Sequence, residues 1–133
     1  MTSFLEKSKQ SIAAAKKLVE VNYYPSTVNR AYYASFQHSM HIIYNKLNID
    51  RDKFNNEVQY NNKGTHGYAF HLLGLEIIKK DKNEYRWFQR KTMEFKKLRE
   101  EADYHEVEIT QPMGYDSIQS AESIINLLNQ LFK

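Results

Sequence analysis

The chain has 133 residues, no cysteine and a formal net charge of +3. That length suits one domain, residues 1–133, with a core large enough to need no staples. The missing thiols exclude disulfides and cysteine-based zinc or redox chemistry, and the mild basic excess is only a small lean towards anionic partners.

The N-terminal stretch MTSFLEKSKQSIAAAKKLVE is charged throughout, unlike a secretory leader. No segment approaches the ~20 apolar residues of a membrane span. A soluble, cytoplasmic protein with no membrane association is therefore expected. Two prolines and four glycines leave little punctuation, so long helices are expected. The first runs over about 3–21, with Phe4, Ser8, Ile12, Ala15 and Val19 at helical spacing. Pro25 suits the first turn of a second helix over about 26–47. That helix mixes small residues (Ala31, Ala34, Ser35, Ser39) with Tyr32, Tyr33 and Phe36, the pattern of a central helix apolar on most sides.

The stretch NIDRDKFNNEVQYNNKG reads as a long polar loop with at most a turn of helix. Thr65 is the expected cap of a third helix ending near Lys80. A fourth starts near Asp81 or Asn83, with Tyr85, Phe88, Thr92, Phe95, Arg99 and Ala102 forming one continuous stripe. Pro112 and Gly114 mark a second loop, and Asp116 with Gln119 reads as a capping box for a last helix. Its apolar face is Ile118, Ala121, Ile125, Leu128 and Phe132. The expected fold is all-α, a compact bundle of about five helices.

The chemistry gathers in KKLREEADYHEVEIT. Arg99 falls on the apolar stripe, where a guanidinium must be paired or face a cleft. Asp103, at i+4, offers an ordinary helical ion pair. His105 follows Arg99 with five residues between them; on a continuing helix the two would point roughly 120° apart. A helix stop near Tyr104 lets the chain turn His105 towards Arg99, and a histidine just past a helix C-terminus is also favoured as a plain cation. His38 and His41 share a helix face, but no Glu stands three positions before either, so a hydrogen-bonded core or interface role is expected and no metal site. No phosphate loop, nucleophile elbow or zinc-protease motif occurs, and no cofactor is expected.

Two segments carry a family resemblance. Arg30 to Phe36, RAYYASF, is similar to the R-A-Y-Y-A-x-F pattern in the second helix of the HEPN family, and LREEADYHE resembles the Arg–His motif of its nuclease members. The order of the two patterns agrees, and the resemblance extends over nearly the whole chain. It implies a HEPN-like bundle and a metal-independent endoribonuclease of a toxin–antitoxin or phage-defence system. Such members dimerise so that two Arg–His pairs line one cleft, and the RNA 2′-OH attacks the adjacent phosphorus. On this resemblance Arg99 is the phosphate clamp and His105 the general acid or base, with Tyr104, Arg30 and Lys97 binding substrate. RNA, a second copy of the chain and a nucleotidyltransferase antitoxin are the implied partners. Where family members often carry Asn, Asp or His after the arginine, this chain has Glu100, and Val107 stands where some members carry a tyrosine that receives a nucleotide. Silent HEPN domains serve instead as interaction modules, often partnering minimal nucleotidyltransferases. In them an R-x-x-A-D-Y helix end is structural. An unrelated helical adaptor with a decorated helix end is the third reading.

Overall fold

The computed structural model describes residues 2–133. They form six helices and, among the described residues, no strand: α1 Phe4–Glu20, α2 Tyr24–Asn45, α3 Arg51–Asn61, α4 Gly64–Lys80, α5 Lys82–Tyr104 and α6 Gln111–Leu131. No helix among them is long and apolar enough to cross a membrane.

The bundle is organised around α2, which packs against α1, α4, α5 and α6. Its small residues permit this. Ala31, Ala34, Ser35 and Ser39 are fully buried, and Ser8 of α1 comes close enough for its hydroxyl to donate to the Ala34 carbonyl at 2.7 Å. Larger side chains from every helix fill the flanks, among them Tyr32, Ile42, Ile43, Phe54, Leu73, Phe88, Ile124 and Leu128. The turn between α1 and α2 is tight, and Asn22 takes a left-handed φ of 67° there, as asparagine does more readily than most residues.

Three sequence expectations are corrected. The asparagine-rich segment is not a loop but the eleven-residue helix α3, which makes six helices in the all-α bundle expected to hold about five. Asp50 caps it, accepting from the Lys53 amide, and Phe54 inserts between the rings of Tyr44 and Tyr68, with centroids 5.9 and 5.2 Å away. The Tyr68 hydroxyl also donates to the Glu57 carboxylate. One apolar anchor and a few polar ties therefore hold a helix whose composition is that of a loop. Second, α4 begins at Gly64, and Thr65 lies inside it and does not cap it. Third, Pro112 and Gly114 do not break the chain. Thr110 caps α6 by accepting from the Met113 amide at 3.4 Å, which leaves Asp116 inside the helix. Pro112 fits the first turn, where no amide donor is needed, and Gly114 lets α6 approach the α1–α2 turn: a Cβ there would lie 3.3 Å from Tyr24 Cδ1.

Because Phe54 is the only buried side chain of α3, Phe54→Ala is expected to cost about 3–5 kcal/mol in chemical denaturation. Amide exchange should show α3 losing protection before any other helix.

Candidate functional site

The stripe on α5 carries Phe88, Thr92 and Phe95 into the core and Arg99 with them. Arg99 is only 8 % exposed. Its guanidinium carbon lies 5.0 Å from the ring centroid of Tyr32 and 5.9 Å from that of Tyr104, a cation enclosed by aromatic faces. Nη1 stands 3.6 Å from Asp103 Oδ2, one helical turn on. The same carboxylate oxygen accepts from Asn29 Nδ2 at 3.0 Å, so Asp103 is held from α2 as well as by its own helix. Nε of Arg99 is buried and has no hydrogen-bond partner. Burial pulls the guanidinium pKa down, but the neighbouring Tyr32, Tyr33 and Asp103 outweigh it, and the group is held more firmly charged.

Behind Arg99 lies a second layer. Tyr32 is fully buried, and its hydroxyl is 3.2 Å from Nδ1 of His66, in the first turn of α4. The His66 ring packs against Phe36 with centroids 4.0 Å apart. Burial pushes the Tyr32 hydroxyl up to about 12, against the pull of Arg99. His66 is driven down to about 4, by burial first and then by the positive charges of Arg99 and Lys96. The two groups share one hydrogen bond, whose direction is set by the tautomer of the neutral His66 ring. Arg99, Tyr32 and His66 thus join α5, α2 and α4 at one point.

Arg30 enters from the other side. Its Nε and Nη2 donate to Asn29 Oδ1 at 3.0 and 2.8 Å, and its guanidinium lies 5.1 Å from the Tyr33 ring centroid. Arg30, Asn29, Asp103 and Arg99 form a continuous polar chain. Beside it Leu18, Pro25 and Ala102 help line a shallow depression of about 500 Å³.

His105 stands apart. Helix α5 ends at Tyr104, and His105 takes an extended conformation, φ −121° and ψ 153°, as the C-cap. Its amide donates to the Glu101 carbonyl at 3.3 Å. Its side chain is exposed, and no hydrogen bond or ion pair joins it to Arg99. Lys97 is also exposed and in no ion pair among the described residues. Of the five residues singled out from the sequence, the structure brings together Arg99 and Tyr104 and links Arg30 to them through Asn29 and Asp103. His105 and Lys97 remain outside this network. Asn29, Tyr32 and His66 belong to it without having been singled out.

Elsewhere, His38 is buried and its Nε2 meets Asn129 Oδ1 at 2.8 Å. Among the described residues no group of three or more His, Asp or Glu is placed to hold a metal ion. Comparison with protein-family profiles, with curated proteins and with solved structures found no match to this chain.

Because Arg99 is enclosed by rings from two helices, Arg99→Ala is expected to cost about 1–3 kcal/mol in urea denaturation, above the ~0.2–0.5 kcal/mol of an exposed helical ion pair. His66 supplies a pH signature. Its folded pKa is lowered, so the unfolded chain takes up the proton first, and stability is lost as pH falls from about 6.5 to about 4. His38 and His41 are lowered as well, each mainly by burial, so the comparison must be between variants. His66→Gln, which keeps an acceptor for Tyr32, should show a shallower loss over that window than the unaltered protein.

Proposed function

We propose that this chain is a HEPN-like helical interaction module, a homodimer that docks a partner protein such as a minimal nucleotidyltransferase. The observation that carries this reading is the state of Arg99. It is roofed by Tyr32 and Tyr104 and tied to Asp103, while the His105 side chain is exposed and has no hydrogen bond or ion pair among the described residues. A guanidinium engaged in this way rivets helices together and offers little to a phosphate. The surrounding carboxylates act in the same sense, because Glu106 and Glu108 are exposed and Glu100 and Glu101 half-exposed on the same stretch.

The end of the bundle beside Arg99 also has the composition of a docking face. Asn29 bonds Asp103 there, and Gly114 meets Tyr24, so the α1–α2 turn, the end of α5 and the start of α6 lie together. On these segments and the connection between α5 and α6, Val21, Tyr23, Tyr104, Val107 and Tyr115 are all exposed, Tyr104 by 73 %. Exposed aromatics rimmed by charge are the usual make-up of protein–protein anchors. The acidic rim calls for a basic partner surface.

A second reading, a metal-independent endoribonuclease, is supported by the exposure of His105 at this same end. A second chain docked there would set two imidazoles near one another. His105 would then exchange the proton of the 2′-OH, and Arg99 would have to leave Asp103 to reach the phosphate.

One measurement separates the readings, and a second tests the dimer that both require. Purified protein incubated with single-stranded RNA in excess EDTA should leave it intact. Metal-free cleavage that yields cyclic phosphate ends, spares DNA and disappears in His105→Ala would establish the nuclease instead. Sedimentation at tens of micromolar should give a dimer, and Tyr115→Ser combined with Val107→Asp, both exposed and outside the Arg99 network, should shift it to monomer without lowering the melting temperature. A clean monomer for the unaltered chain would remove the dimer from the proposal.

A further inference from the structure

Helices α4 and α5 do not close completely on one another. Gly67 and Gly74 line the space between the two helices, and a Cβ at Gly74 would lie 3.2 Å from Tyr85 Cε1, so the Tyr85 ring lies against bare backbone there. What remains between the helices is a cavity of about 270 Å³, walled by Phe70, Tyr85 and Phe88. That is just below the ~300–1,000 Å³ of small-molecule sites, room for a bicyclic ring or a nucleoside and little more.

Its charge is one-sided. Lys63 and Lys96 line the cavity, and no Asp or Glu does, although the chain holds 16 acids. Neither lysine belongs to an ion pair among the described residues, whereas Lys16, Lys79, Arg90 and Arg99 each do. Independently, His66, in the α4 turn between Lys63 and Gly67, has its proton affinity lowered by burial and then by Arg99 and Lys96. The cavity thus has cations and no carboxylate in its lining, in contrast to the acidic end of α5. An apolar aromatic cleft with unpaired cations selects a ligand that is flat at one end and anionic at the other.

We propose that the α4–α5 cavity binds a small organic anion, an aromatic body bearing a phosphate or carboxylate group, with the ring against Phe70, Tyr85 and Phe88 and the anionic group held by Lys63 and Lys96. This site is separate from the Arg99 network and does not depend on which reading of that network holds.

The test uses the full chain with ¹³C-methyl methionine, because Met93 lines the cavity while Met40 is in the core. Adenosine 5′-monophosphate and 2-naphthoate are titrated in parallel with their uncharged counterparts, adenosine and 2-naphthol, and with inorganic phosphate. At least one of the two aromatic anions should move the Met93 methyl saturably and leave Met40 still. It should bind at least about tenfold more tightly than its uncharged counterpart, and inorganic phosphate should bind more weakly than either anion. Response to the nucleotide alone assigns the phosphate, and response to the naphthoate alone assigns the carboxylate. Lys63→Gln with Lys96→Gln, one exposed and one half-buried side chain, should weaken binding about tenfold or more with the helical far-ultraviolet signal retained. The proposal is overturned if neither anion moves Met93, if the uncharged compounds bind as tightly, or if the double variant binds unchanged.

Discussion

The contact between the Arg99 guanidinium and the Tyr32 ring sets much of what surrounds it. Tyr32 sits on the central helix with no exposed surface, so its hydroxyl must find a partner inside the bundle. It finds His66, which fixes the first turn of α4 against α2. Arg99 covers the ring and brings the last turns of α5 to the same place. A buried cation would be costly alone. Here the aromatic faces and the Asp103 carboxylate offset that cost, and Asp103 is itself steadied by Asn29. Three helices are thereby registered by one guanidinium, one phenol and one imidazole, and the polar groups specify an arrangement that apolar packing alone would leave looser.

Much of the fold was legible in the sequence because it rests on periodicity. The α5 stripe from Phe88 to Arg99 is buried as its spacing requires, and the small residues of α2 mark the helix that touches most others. The α3 segment was not legible, because a single phenylalanine among asparagines and charges makes no stripe. Phe54 holds that helix through Tyr44 and Tyr68, residues distant in sequence. Pro112 misled for a related reason: proline is a breaker in general and a good first-turn residue in particular, and only the Thr110 cap decides between them.

The Arg99 network divides in the same way. Its local half, Arg99 with Asp103, follows from i+4 spacing. Its long-range half does not, since Asn29 meets Asp103 across 74 residues and His66 reaches Tyr32 across 34. Nothing in the neighbourhood of His66 in the sequence signals an imidazole that binds a phenol; only the packing of α4 on α2 brings them together. His105 shows the converse. Sequence proximity to Arg99 suggests a joint site; α5 does stop at Tyr104, and His105 in the extended C-cap is exposed with no hydrogen bond to Arg99.

Two neighbouring stretches of α5 present different chemistry. Around Asp103 the helix end is rich in carboxylates and exposed rings; around Lys96 the face towards α4 has cations, a cleft and no acid. Lys96 and Arg99 lie on successive turns, and both act on His66. An anion bound at Lys96 would raise the proton affinity of His66, an effect that reaches the Tyr32 hydrogen bond only near pH 4, where the imidazole takes up its proton.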